Sequence, residues 1–199
     1  MRKIGFILII GLSLRFIVSC CDCNDTTVYK YTFNSMKTMH IDNSGQSPHY
    51  VEGGIIPKEA YGLQIELALS QLAYNKSLNF TGFNTAYAFD CFCPPEIAYF
   101  AQDTISEIRI ITLNDFDITH KANSEISDYF KVLTSTNYLT IPAYVDTPEI
   151  IYYEKPEHDI ILVYLMKPPA IIGEHRFKVE ILLSDGTTLA SSTTIINLE

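Results

Sequence analysis

Hydrophobic and polar residues alternate with a period of two in several segments of the chain. The clearest alternation runs from Tyr61 to Leu69, and a second runs from Phe177 to Leu183. A third segment, 105–113, places Ile108, Ile110 and Thr112 on one face. Because successive side chains of a strand point to opposite faces, each pattern predicts a strand with one buried face.

Less regular runs predict three more strands. β-Branched and aromatic residues dominate 28–33 and 86–93, and the largely apolar run at 159–166 predicts a strand covered on both faces. Segment 34–57 contains several glycines and prolines, which predicts a loop with one short strand inside it.

The C-terminal third carries the strongest turn signal. Ser184-Asp185-Gly186-Thr187 separates the strand ending at Leu183 from a threonine- and isoleucine-rich strand. The Asp-Gly pair predicts a two-residue type I′ hairpin turn, in which both central residues take positive φ. One short helix or 3₁₀ turn is predicted at 124–130, with Asn123 or Ser124 as its N-cap.

These elements together predict the fold class. About seven strands with almost no helix indicate an all-β, antiparallel β-sandwich with at most one or two short helices. The last three strands have the order and spacing of the closing strands in immunoglobulin-like modules, so we expect immunoglobulin-like architecture. The tryptophan of true immunoglobulin domains is absent, because the chain has no tryptophan.

The N-terminus predicts export. Arg2 and Lys3 precede an apolar run at 4–14, which is too short to span a membrane because a transmembrane helix needs about 20 residues. Ile17-Val18-Ser19-Cys20 then resembles the lipobox of bacterial lipoproteins. The resemblance implies that the chain is cut before Cys20 and that this cysteine is lipidated.

The predicted organisation follows from that cleavage. Residues 1–19 form a signal peptide, 20–27 a lipidated N-terminus and short tether, and 28–199 a single domain. We expect an outer-membrane lipoprotein of the bacterial cell envelope, facing the periplasm or the cell surface. Arg15 departs from the lipobox pattern, and an ordinary secretion signal or an uncleaved anchor is the alternative.

The charge balance excludes some partners. The whole chain has a formal net charge of −9, and the predicted signal removes three basic residues, Arg2, Lys3 and Arg15. Nucleic acids and anionic lipid head groups attract clusters of lysine and arginine, so we expect neither as a ligand.

The number of cysteines predicts disulfide crosslinks. The chain has five cysteines, and lipidation of Cys20 leaves two Cys-x-Cys pairs, Cys21 with Cys23 and Cys91 with Cys93. An even number of thiols in an oxidising compartment indicates disulfides. An antiparallel alignment joins 21–93 and 23–91, whereas a parallel alignment joins 21–91 and 23–93. A four-thiolate metal site is the less favoured alternative, since zinc sites usually space their cysteines by two to four residues.

Two stretches carry a family resemblance. Ser19-Cys20-Cys21-Asp22-Cys23 and the segment 108–117, followed by His120, 122–124 and 128–130, resemble a family of Bacteroidetes-type lipoproteins whose domain has no assigned function. The likeness covers most of the mature chain. It implies export, lipidation and a β-rich fold, and it implies no activity, cofactor or catalytic residue.

One polar cluster is a candidate calcium site. Asn114, Asp115 and Asp117 follow a predicted strand, with His120 three residues further on. Hard oxygen ligands at this spacing suit calcium, but the spacing is not that of an EF-hand loop. A turn in which the side chains accept hydrogen bonds from nearby backbone is the favoured interpretation.

No other motif indicates catalysis, a metal or a cofactor. Tyrosines between Tyr138 and Tyr153 are a candidate contact patch, because tyrosine is frequent at interfaces. We therefore expect a membrane-anchored, non-catalytic binding or assembly module for a protein or glycan partner. The alternatives are an envelope hydrolase with an unrecognised carboxylate or metal site, and a structural accessory subunit.

Overall fold

The computed structural model describes residues 27–71, 97–135, 137–147, 152–155 and 157–199. Within these ranges most residues lie in strands. The strands are β1 (Thr27–Asp42), β2 (His49–Val51), β3 (Ile55–Ile56), β4 (Tyr61–Gln71), β5 (Ile97–Ala101), β6 (Ile105–Thr112), β7 (Phe130–Leu133), β8 (Tyr138–Thr140), β9 (His158–Leu165), β10 (Gly173–His175), β11 (Phe177–Leu183), β12 (Thr188–Ser192) and β13 (Ile196–Leu198).

The helical elements in the same ranges are short. The α-helix, α1, spans Ile141–Val145, and two 3₁₀ turns span Lys58–Ala60 and Ser127–Tyr129. The α-helix begins with Pro142 in its first turn, and the hydroxyl of Thr140 accepts a hydrogen bond from a backbone N–H there. A proline near the helix start costs no hydrogen bond, because the first N–H groups of a helix lack intrahelical acceptors.

The strands form three sheets. A seven-stranded sheet has the order β2-β1-β4-β9-β7-β8, and β5 pairs with β1 off this path. Two three-stranded sheets have the orders β12-β11-β6 and β10-β13-β3. Most neighbours are antiparallel, and the pairs β1–β5 and β3–β13 are parallel.

One hydrophobic cluster joins the layers. It includes Ile65 and Val163 from the seven-stranded sheet and Ile110 and Val179 from the β12-β11-β6 sheet, all fully buried. Two sheets that pack their apolar faces together define a sandwich. The predicted fold class, an all-β and mainly antiparallel sandwich with a short helix, is confirmed.

The predicted loop at 34–57 is wrong over its first part. Strand β1 continues to Asp42 and pairs with β4 along that length, with a bulge between Phe33 and Ser35. The inward positions of this stretch include Thr38 and His40, which interrupt the apolar alternation. The sequence therefore carried no strand signal there, and pairing with β4 decided the outcome.

The predicted type I′ turn is also wrong. Asp185 does not have a positive φ, whereas Gly186 has φ 89°. The Gly186 N–H donates to the carbonyl of Leu183, and the Leu183 N–H donates to the carbonyl of Thr187. These bonds enclose a three-residue loop, which is built as a turn followed by one left-handed residue.

Two smaller predictions need correction. The turn near 124–130 is a 3₁₀ turn, but its N-cap is Ile126 and no side chain caps it. Strand β9 is buried on both faces only toward its end, because Ile160 is 52% exposed. The predicted strand at 86–93 lies outside the described residues.

Candidate binding cleft

A cleft lies beside the middle of β1. One edge of β1 pairs with β4. The opposite edge of β1 pairs with β5 at Thr27–Tyr31 and with β2 at His40–Asp42, so between these two stretches that edge has no paired strand among the described residues. Strand β12 covers this gap with side chains, and the Thr38 N–H donates to Ser191 Oγ at 3.2 Å. The gap encloses about 480 Å³. Its position is set by the incomplete pairing of one strand edge.

The walls of the cleft are rich in hydroxyl groups. They come from three strands and the segment after β12: Thr38, Tyr50, Ser191, Ser192 and Thr194. The ring of Tyr50 stands at the rim with 62% of its surface exposed. A cavity with several hydroxyls and one exposed aromatic face suits a ligand that is itself rich in hydroxyl groups.

Thr38 is the unusual member of this wall. Its side chain is only 7% exposed, and its hydroxyl has no hydrogen-bond partner. A buried hydroxyl without a partner costs about 1–3 kcal/mol, and most buried polar groups are therefore paired. The hydroxyl is fully covered by neighbouring atoms, so it forms part of the cleft wall and a ligand in the open volume does not reach it in this structure.

His40 lies beside Thr38 and is neutral. Its Nε2 lies 3.2 Å from the carbonyl of Thr194, so this nitrogen carries the hydrogen and donates. Its Nδ1 then accepts from the hydroxyl of Tyr61 at 2.8 Å. Burial lowers the pKa of His40, and the bond to Thr194 opposes that shift only in part. The cleft therefore holds no histidine charge at neutral pH.

The two charged residues of the cleft have opposite signs. Lys37 and Glu52 both line it, and the remaining lining groups are uncharged when His40 is neutral. Balanced charges at a rim give no strong preference for an anion or a cation. The site therefore favours an uncharged ligand.

A second cavity of about 440 Å³ is a weaker candidate. Tyr31, Leu69, Tyr99 and Glu157 are among the residues that line it. Leu69 and Tyr99 each lie three positions from the segment 72–96, and Glu157 directly follows residue 156, none of which the structure describes. The described residues therefore do not define its full boundary.

The predicted cluster after β6 forms a tightly bonded loop. The carboxylate of Asp117 accepts from the Thr119 N–H at 2.8 Å, from the His120 N–H at 2.7 Å and from His120 Nδ1 at 3.0 Å. The hydroxyl of Tyr129 donates to the same carboxylate at 3.2 Å, and Lys167 donates to Tyr129 at 2.6 Å. These hydrogen bonds connect the loop to the 3₁₀ turn before β7 and to Lys167 in the chain after β9.

Hydrogen bonding keeps the Asp117 carboxyl ionised. Desolvation raises its pKa, but the bonds from the His120 N–H and the Thr119 hydroxyl outweigh desolvation and hold the pKa well below its usual value. Asp115 similarly accepts from the Ala122 N–H at 3.0 Å. These contacts are those of the favoured turn interpretation. Across the described part of the chain, no three His, Cys, Asp or Glu residues are grouped to hold a metal ion.

The tyrosines between 138 and 153 do not form one patch. Tyr138 and Tyr153 are exposed, at 47% and 63%. Tyr152 instead donates to Asp159 at 3.0 Å, and burial raises the pKa of Tyr144 to about 12. The proposed site cysteines, Cys20, Cys21, Cys23, Cys91 and Cys93, lie outside the described residues.

Sequence reasoning missed the cleft. Its central residues, Thr38 and His40, fall in the segment interpreted as a loop, and no motif marks them. The one signal that could have found them was a polar residue at an inward strand position, which is visible only once the pairing of β1 with β4 is known.

The fold and the cleft define a class, an all-β sandwich domain with a polar cleft at one sheet edge. The chain belongs to the family described as a domain of unknown function (DUF5034), whose model matches residues 33–194. No curated protein shows a significant match to the sequence.

One similar solved structure is that of a protein named BspA_C_mut. It shares 7% sequence identity with a TM-score of 0.25, and the alignment covers 82% of this chain and 46% of that chain. The chain thus spans less than half the length of that protein, and a likeness this remote carries no argument. In the part of the chain that the structure describes, no helix is long and apolar enough to cross a membrane.

Proposed function

We propose that this protein is a lipid-anchored binding module of the bacterial cell envelope, and that it binds a neutral glycan in the cleft between β1 and β12. The observation that carries the proposal is a cleft of about 480 Å³ that is lined by several hydroxyl-bearing residues and by the exposed ring of Tyr50. A glycan supplies hydroxyls that both donate and accept, and its flat C–H faces pack on an aromatic ring such as Tyr50.

The proposed anchor lies away from this cleft. Lipidation of Cys20 would attach the chain close to Thr27, where β1 begins. The cleft begins ten residues further along β1, at Lys37, which is roughly 30 Å away at the rise of a strand. A ligand in the cleft therefore has room between itself and the membrane.

Crosslinks would reinforce the anchored end. Each described residue of β5 pairs with the β1 residue 70 positions earlier, from Thr27 with Ile97 to Tyr31 with Ala101. The two Cys-x-Cys pairs are separated by the same 70 positions. This register favours the parallel connectivity, Cys21 with Cys91 and Cys23 with Cys93, over the antiparallel one.

Binding is tested by calorimetric titration of the detergent-solubilised lipoprotein. The probes are cello-, chito-, manno- and malto-disaccharides, with the anionic digalacturonate for comparison. We expect at least one neutral disaccharide to bind and digalacturonate to bind more weakly. Failure of all four neutral series, at both disaccharide and hexasaccharide length, would overturn the proposal.

Two tyrosine variants then locate the site. Tyr50→Ala removes the exposed ring at the rim, so we expect unchanged stability and a Kd weaker by roughly fivefold, for a lost contact of ~1 kcal/mol. Tyr153→Ala is the matched control, because Tyr153 is exposed to the same extent and does not line the cleft. It should change neither stability nor glycan affinity. An unchanged glycan affinity in Tyr50→Ala would contradict the cleft assignment.

A further inference from the structure

The cleft is closed at one end by a crossing of the chain. Strand β2 ends at Val51, which pairs with His40 of β1. The next residue, Glu52, meets the segment after β12, where the hydroxyl of Thr194 donates to the Glu52 carbonyl at 2.6 Å. The carbonyl of Thr194 in turn accepts from His40 Nε2 at 3.2 Å. These residues therefore form a closed ring that joins the two walls of the cleft.

The backbone on both sides of this crossing is held by other strands. Past β2 the chain joins the C-terminal strand, because the Asn197 N–H donates to the carbonyl of Gly54 at 2.9 Å and β3 then pairs with β13. On the other side, the hydroxyl of the buried Thr193 accepts from the Phe177 N–H at 3.1 Å. The crossing is therefore a fixed part of the fold, and it blocks this end of the cleft.

The opposite end of the cleft is open. Strands β1 and β12 run in the same direction, because Thr38 bonds to Ser191 and, further along both segments, His40 bonds to Thr194. Among the described residues, no hydrogen bond joins β1 to β12 on the other side of the Thr38–Ser191 bond. There both strands present exposed side chains, most of them polar: Asn34, Ser35 and Lys37 on β1, and Thr188 and Ala190 on β12. The seam between β1 and β12 therefore leads from the cleft into solvent, away from the crossing.

A cleft with one closed end restricts the part of a polymer that it accepts. Its volume of about 480 Å³ is within the range of ~300–1,000 Å³ that is usual for small-ligand pockets, so it holds only a short part of a long chain. Tyr50 directly precedes Val51, so its exposed ring stands near the closed end. An internal unit of a polymer is bonded on both sides, and one of its neighbours would have to occupy the position of the crossing.

We propose that the cleft recognises the end of a neutral glycan chain and not an internal segment. This inference rests on the proposed function of the cleft. The terminal sugar lies against the crossing of Glu52 and Thr194 and packs its C–H face on the ring of Tyr50, and the rest of the chain leaves along the seam between β1 and β12. The hydroxyl that only a terminal sugar carries is the group that meets the crossing.

Hexasaccharides with one modified end test this recognition. The full lipoprotein is titrated with the 1,4-linked cello, chito, manno and malto hexasaccharides in three forms: unmodified, methylated at the non-reducing 4-hydroxyl, and reduced to the alditol at the other end. For the series that binds, we expect one modification to weaken binding by about tenfold and the other to leave it unchanged.

Each other outcome has a distinct meaning. Equal affinity for all three forms would overturn chain-end recognition and leave the cleft proposal intact. Weakening by both modifications would also overturn it, because the two ends of one hexasaccharide cannot both lie at the single closed end. Absence of binding by every hexasaccharide and disaccharide would overturn both proposals.

Two threonine variants provide the second readout. Thr194→Ala removes the hydroxyl that holds the Glu52 carbonyl, so the preference for the unmodified over the end-modified hexasaccharide should fall from about tenfold to about threefold. Thr147→Ala is the matched control, because the exposed Thr147 hydroxyl also donates to a backbone carbonyl, that of Tyr144 at 2.6 Å, and does not line the cleft. An undiminished preference in Thr194→Ala, or an equal fall in Thr147→Ala, would refute the role of the crossing.

Discussion

The register between β1 and β5 makes a sharp prediction about crosslinks. The two strands pair in parallel with a constant offset of 70 residues. Neighbouring strands lie ~4.8 Å apart, within the Cα separation that a disulfide needs. Cys21 and Cys91 precede the first paired residues, Thr27 and Ile97, by the same number of positions, and so do Cys23 and Cys93. We therefore expect the parallel pair of disulfides.

Double substitutions distinguish this connectivity from the antiparallel one. Replacing Cys21 and Cys91 by serine removes one complete bond and leaves the Cys23–Cys93 bond intact, so no free thiol remains. Replacing Cys21 and Cys93 instead breaks both bonds and leaves two unpaired thiols. Antiparallel pairing would give the opposite results for the same two proteins.

The structure also sets the energetic scale. A disulfide between residues 70 positions apart lowers the entropy of the unfolded chain. In the chain-entropy model this raises the free energy of unfolding by ~4 kcal/mol. The second of the two parallel disulfides closes only a small additional loop, so it adds less to the free energy of unfolding. The Cys21/Cys91 double variant should therefore retain most of the stability, whereas the Cys21/Cys93 variant should lose on the order of 4 kcal/mol.

The assay is thiol alkylation followed by mass spectrometry on protein exported to an oxidising compartment, together with denaturant unfolding. Free thiols in the Cys21/Cys91 variant, with none in the Cys21/Cys93 variant, would refute the parallel ladder. Four free thiols in the unsubstituted protein would refute the disulfides altogether.

Two further predictions concern the described fold. Gly62→Ala places a Cβ against the Tyr164 ring and a backbone carbonyl, so we expect a loss of ~1–3 kcal/mol in urea unfolding, and an unchanged midpoint would contradict the close approach. His175 is buried with Nδ1 unpaired, and burial lowers its pKa despite the bond of its Nε2 to the Ile171 carbonyl. As the pH falls, His175 therefore takes up a proton in the unfolded chain at a higher pH than in the folded chain. The free energy of unfolding should fall as the pH drops below about 6.5. His175→Gln should show a smaller fall in melting temperature between about pH 7.5 and pH 5.5, and an identical fall would exclude His175 as a contributor.

The sequence by itself determined the core strands. At 61–69 and 177–183 the apolar positions recur every second residue, and in the structure they form the buried faces of β4 and β11. Such a pattern is local, since it needs only the geometry of an extended chain and one apolar layer to bury. The N-terminal signal and the cysteine pairs are local in the same sense, and the predictions made from them stay predictions.

The tertiary structure alone decided the cleft and the hairpin turn at Gly186. Thr38 and His40 lie inward because β4 fixes the register of β1, and their surroundings come from β12, some 150 residues later. The turn at Gly186 likewise depends on how β11 and β12 pair, because an Asp-Gly dipeptide fits loops of two or three residues. Unpaired groups such as the Thr38 hydroxyl arise from long-range packing, so no sequence pattern marked them.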